Sequence, residues 1–236
     1  MHDLRQDLSG LWRAAARMST SGGSRSVLFI SANAGEGTSS IAASFALIAA
    51  NYSDRMAWLV DLHLPQNAVF QGFHKRFAGD VGAPGRAYDA SFGHRAVFQF
   101  SPAPPHGGDY GKLLTAHQIG EARLMITRFR NEQLGLDQNV VFDPNSKWWS
   151  SLRRAADWII LDSPALSHSA AGLNYIRKAD SIVLVVEADK TQAKDVSRLK
   201  QMVETRGGHI LGIVMNRRRE DARFFERLAD GYSYNR

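Results

Sequence analysis

The chain has 236 residues, 44% of them hydrophobic and 22% charged, a composition that supports a packed core and excludes a disordered or collagen-like protein. Lys and Arg number 29 against 23 Asp and Glu, a net charge of +6, and that surplus favours anionic partners without choosing among nucleotides, lipid headgroups and phosphorylated peptides. Cysteine is absent, so disulfides, thiolate zinc sites and a cysteine nucleophile are excluded.

Residues 4–18 place Leu4, Leu8, Leu11, Trp12 and Ala15 on one face, which predicts an N-terminal helix. The apolar run Ser26–Ile30 reads as a buried strand, and a glycine-punctuated turn leads from it into a helix over Ser39–Tyr52. Ala57–Val60 is a second strand, ending on Asp61. From Gly72 to Asp137 the pattern breaks down into an irregular excursion, within which Ala96–Phe100 resembles a strand and Leu113–Phe129 a helix. Trp148 and Trp149 open a further helix; either one indole enters the core and the other covers a surface, or the pair joins the excursion in a docking patch. Three more strands follow, Trp158–Leu161 ending on Asp162, Ile182–Val186, and Ile210–Met215 ending on Asn216. The last two are separated by a helix over Gln192–Arg206. Arg217, Arg218 and Arg219 form a basic run, and the tail 230–236 carries Tyr232 and Tyr234.

Short buried strands alternating with helices predict a doubly wound, mostly parallel α/β sheet with helices on both faces, in one domain covering residues 1–236. In such a sheet ligands bind beyond the carboxyl ends of the strands, so the residues there carry the functional reading. The first such segment is Ala32-Asn33-Ala34-Gly35-Glu36-Gly37-Thr38-Ser39-Ser40. Its glycines let backbone amides converge on phosphate oxygens at a helix N-terminus, and Ser39 offers a hydroxyl to magnesium. A Gly-x-Gly turn is also an ordinary way to begin a helix. Carboxylates at the ends of two strands, Asp61 and Asp162, tip the reading toward a nucleotide site. The eight histidines show no metal-ligand spacing, and no Gly-x-Ser-x-Gly elbow supports a serine hydrolase.

These blocks resemble the cytoplasmic bacterial tyrosine kinases, within the ParA/MinD class of P-loop proteins. The family's Pro-Gly-Glu-Gly-Lys-Ser appears as Ala34-Gly35-Glu36-Gly37-Thr38-Ser39, and its Asp-x-Asp-x-Arg as Asp61-Leu62-His63-Leu64-Pro65. Its Asp-Thr-Pro-Pro appears as Asp162-Ser163-Pro164-Ala165, and its closing strand, with an asparagine that meets adenine, as Val214-Met215-Asn216-Arg217. The resemblance implies ATP bound by residues 34–40 with Asn216 and Arg217, magnesium on Ser39, Asp61 and Asp162, and tail tyrosines Tyr232 and Tyr234 as phosphoacceptors. Thr38 stands where the family has the lysine that stabilises the departing γ-phosphoryl group, and His63 stands where it has a second aspartate. A kinase scaffold that has lost chemistry follows, with Asp61 and Asp162 vestigial or weak and ATP and magnesium bound weakly or not at all.

The resemblance further implies a regulator of exopolysaccharide synthesis or export, of the capsule or holdfast type, acting through a membrane-embedded polysaccharide co-polymerase. Such a protein is cytoplasmic and peripheral at the inner membrane, without a membrane span of its own or a nucleic-acid partner. Homo-oligomerisation stays open, because the family's ring-forming helix motif has no clean match in residues 3–17. The alternatives are an active tyrosine autokinase with an unorthodox loop and a MinD-like positioning protein.

Overall fold

Strands that are apolar on both faces must be covered from above and below. The computed structural model describes residues 4–18, 23–103, 109–134 and 138–217. Helix α1 (Ser9–Ala16) precedes β1 (Arg25–Ser31), and α2 (Thr38–Asn51) leads to β2 (Ala57–Asp61). A helical stretch follows, made of α3 (Ala68–Gly72), a wider turn at Phe73–Phe77 and α4 (Ala78–Val81). Then come β3 (Pro84–Asp89), β4 (Phe98–Ser101), β5 (Leu114–Ile119), β6 (Leu124–Phe129), β7 (Asn139–Phe142) and α5 (Trp148–Ala155). β8 (Trp158–Asp162), β9 (Ser181–Glu187), α6 (Ala193–Thr205) and β10 (Ile210–Asn216) follow.

Eight strands form one sheet in the order β10-β9-β1-β8-β2-β6-β5-β3. Neighbours from β10 to β6 are parallel, and β5 and β3 add an antiparallel edge. Side-chain alternation along each strand divides the core in two. Val27 and Phe29 pack with Ile41 and Phe45 of α2, whereas Leu28 and Ile30 face Trp148, Leu152 and Tyr175. Each such side chain taken fully out of water contributes about 1.5–3 kcal/mol, so both helical layers are held by the same strands. Among the described residues no helix is long and apolar enough to cross a membrane.

Several expectations need correction. The N-terminal helix is shorter than 4–18: residues 4–8 form a turn, with the Asp7 amide on the Leu4 carbonyl at 3.0 Å, and the Leu4 amide donates to Ser44 Oγ at 2.9 Å. The expected helix over Leu113–Phe129 is the hairpin β5–β6, in which Leu114 pairs with Phe129 and Gln118 with Met125. Its apolar residues satisfy a period of two as well as one of 3.6, and the chain reverses at Gly120, whose φ is 46°. The stretch 72–137 therefore supplies three strands of the main sheet rather than an excursion on the surface. Only β4, paired antiparallel with β7, stands in a separate small sheet. It caps one face of the core with Phe98 and Phe142.

Trp148 is fully buried and donates from Nε1 to the Ala90 carbonyl at 2.6 Å, so it cannot belong to a docking patch. Trp149 is half-buried, with Nε1 on the Asp143 carbonyl at 2.9 Å.

Candidate functional site

β1 ends at Ser31, and the chain turns over residues 32–37 into α2. Gly35 and Gly37 hold φ of 85° and 90°, a left-handed backbone that a side chain would strain. A Cβ on Gly37 would also lie 2.0 Å from Asn216 Nδ2. Gly37 is the N-cap of α2 and caps it with no side chain, which leaves the Thr38 and Ser39 amides available to an anion, while the Ser40 amide donates to the Gly37 carbonyl at 3.0 Å. Glu36 is turned away from that space and is 2% exposed. Its carboxylate accepts from the Asn33 amide at 3.0 Å and from the Thr191 hydroxyl, while its carbonyl accepts from Asn216 Nδ2 at 2.9 Å. Glu187 continues this tie through its amide on Thr191 Oγ1 at 2.9 Å and an ion pair with Arg217 at 3.1 Å. The phosphate loop is thereby fastened to the ends of β9 and β10.

On the other side of β1, Asp61 and Asp162 lie opposite each other in the β2–β8 register, 2% and 3% exposed. Asp61 Oδ1 accepts from the His63 amide at 2.8 Å and Oδ2 from the Val69 amide at 3.1 Å, which ties it to the start of α3. Asp162 bonds to the Ser39 hydroxyl, and its Oδ1 is buried without a partner. Burial pushes the Asp61 carboxyl up to about 6 despite those amides. Burial and then the Asp61 charge push Asp162 well above the carboxylate range. Two carboxyls this close share protons as a pair unless a cation neutralises them.

Among the described residues no three His, Asp or Glu side chains are arranged to hold a metal by themselves. A hydroxyl, an unsatisfied carboxylate oxygen and ligand phosphates are the donor set that suits magnesium, and Ser39 with Asp162 Oδ1 supplies the protein's part of it.

A cavity of about 270 Å³ opens over the loop. Of the residues assigned to it from sequence, Ala34, Gly35, Gly37, Thr38, Ser39, Ser40 and Arg217 line it. Asn216 instead packs onto the loop at 9% exposure, donating to the Glu36 carbonyl and accepting from the Arg217 amide at 2.9 Å. Tyr232, Tyr234, Arg218 and Arg219 lie outside the described residues. The other lining residues include His63, Gln66 and His168, which the sequence motifs do not mark as binding residues. In the sequence His63 stands only as the residue at the place of the second aspartate, and nothing near His168 along the chain marks it. Burial, followed by the neighbouring His168, holds His63 below the ordinary imidazole range. A second cavity of about 240 Å³ lies behind Ala34, between Glu36 and the Glu187–Gln192 turn.

A parallel sheet with a glycine loop after its central strand and carboxylates ending the next two strands on one side defines an α/β protein of the P-loop class. The fold is similar to that of bacterial tyrosine kinase domains. The VpsO kinase domain superposes with a TM-score of 0.58 at 16% identity, over 91% of this chain and 94% of that one. The BceF tyrosine kinase domain gives 0.56 at 14% identity, over 90% and 75%. In sequence, the Staphylococcus aureus protein CapB, described as a tyrosine-protein kinase, is 31% identical over 61 residues, 26% of this chain. That match spans 27% of CapB's own length. No family model matches the chain. The resemblance read from the motifs thus holds at the level of the fold.

Proposed function

We propose that the chain is a kinase-like, nucleotide-responsive regulator of surface-polysaccharide assembly that binds ATP weakly and transfers phosphoryl groups poorly. The observation that carries this reading is Thr38, 7% exposed at the first position of α2 in a loop that otherwise keeps its glycines, its serine and its facing carboxylate. A lysine there would place a charge on the β and γ phosphates, and a threonine hydroxyl cannot. Losing one charge-assisted hydrogen bond removes about 1.5–3 kcal/mol, or roughly one to two orders of magnitude in affinity. The polysaccharide role and docking on a membrane co-polymerase are what kinship with the tyrosine kinases implies, and the VpsO and BceF folds and the CapB match support that kinship.

Calorimetric titration of the chain with ATP and magnesium tests the reading. Weak binding is expected, strengthened about tenfold or more by Thr38→Lys. Tight binding by the unaltered chain with no gain from Thr38→Lys would refute it. An active autokinase is the second reading, favoured by the unsatisfied Asp162 Oδ1 beside Ser39. Phosphotyrosine at Tyr232 or Tyr234 after incubation with ATP and magnesium, read by mass spectrometry, would establish it.

A further inference from the structure

The cavity over the phosphate loop runs along the carboxyl ends of the strands. Arg217, after β10, marks one end; His63, after β2, and His168, after β8, mark the other. In phosphate-loop proteins magnesium bridges the β and γ phosphates. The end carrying Ser39 and Asp162 is therefore where a terminal phosphate belongs, and it is the histidine end. That end lacks cationic help: Thr38 brings no charge, and the neighbouring strand ends carry the buried carboxyls Asp61 and Asp162 rather than a cation. The lining side chains there that bear N–H donors are His63, His168 and Gln66. His63 is half-buried and His168 exposed, and neither ring has a hydrogen-bond partner among the described residues. Each imidazole keeps at least one N–H donor whatever its charge, so neither ring needs to titrate in order to act.

We propose that His63 and His168 receive the terminal phosphate of a nucleoside triphosphate, in place of the lysine absent at position 38. The assignment rests on the nucleotide reading above and adds to it which side chains hold which part of the ligand. It also accounts for the loss of the aspartate at position 63. Next to Asp61, whose Oδ1 accepts from the His63 amide at 2.8 Å, a side-chain donor suits a phosphate better than a further acid.

The test is calorimetric titration of the full chain with ATP and with AMP, in magnesium, for the parent, His63→Ala, His168→Ala and the double variant. The double variant should lose about tenfold or more in ATP affinity and stay within about twofold for AMP, which has no terminal phosphate to lose. His63→Gln, which retains an N–H donor, should recover part of the loss. Melting temperatures close to the parent's are expected for every variant, since neither ring holds a hydrogen bond among the described residues. An unchanged ATP affinity in the double variant, or equal losses for ATP and AMP, overturns the assignment and leaves the nucleotide reading standing. If the parent binds neither nucleotide, the nucleotide reading itself falls, and the assignment with it.

Discussion

Asp162→Asn should stabilise the protein at neutral pH, although it alters a residue at the heart of the site. The carboxyls of Asp61 and Asp162 face each other across β2 and β8, and Asp162 Oδ1 has no partner. Burial moves Asp61 from 3.8 to about 6, and burial with the Asp61 charge moves Asp162 well upward. Between the unfolded values and these raised ones the folded protein binds more protons than the unfolded chain. Stability from the protonated pair is thus complete below the unfolded value and lost as pH rises through the folded ones. The Asp61 displacement alone corresponds to about 3 kcal/mol at roughly 1.36 kcal/mol per pH unit. Asparagine at 162 stays neutral without having to take up a proton in the folded protein, a gain of ~2 kcal/mol at about pH 7.5. At roughly 2–4 °C per kcal/mol for a chain of this size, the melting temperature should rise by ~4–8 °C.

Calorimetric melts of parent and variant, without divalent cations, at about pH 7.5 and about pH 4 supply the comparison, and the gap should shrink at the lower value. Magnesium should raise the melting temperature of the parent more than that of the variant. A variant less stable than the parent at the higher pH, or a gap independent of pH, would show that the pair is not an unsatisfied like-charge site.

Gly37→Ala meets a positive φ and Asn216 Nδ2 at 2.0 Å, so urea unfolding should show a loss of more than about 1 kcal/mol. His117, 5% exposed and donating from Nδ1 to the Gly85 carbonyl at 2.8 Å, is held below the imidazole range chiefly by burial. Its stabilising contribution is complete above about pH 6.5 and declines as pH falls below that, so His117→Phe should flatten the acid limb of a urea-midpoint profile. Trp148→Ala empties a fully buried site and strands the Ala90 carbonyl, with an expected cost of ~3–5 kcal/mol by chemical denaturation.

What could be read along the chain was whatever neighbours in sequence decide. The runs Ser26–Ile30 and Trp158–Leu161 are apolar on both faces, which already requires a sheet covered on both sides. The turn at Gly35 and Gly37 and the aspartates ending two strands place a phosphate site at the sheet's carboxyl edge without any tertiary contact. Thr38 marks the chemical deficit in the same local way. The hairpin over Leu114–Phe129 escaped because its apolar spacing fits two periods, and only pairing with β2 and β3 selects the extended one. The turn before the first helix lies against α2, where the Leu4 amide meets Ser44, a residue forty positions away. The contact of Asn216 with the phosphate loop, 180 residues away along the chain, has no mark in the sequence either. Likewise His63 and His168 meet over the loop only because β2 and β8 are neighbours in the sheet. Strand order joins residues remote in sequence, and it is set by how the apolar faces are buried together; composition and spacing carry no record of it.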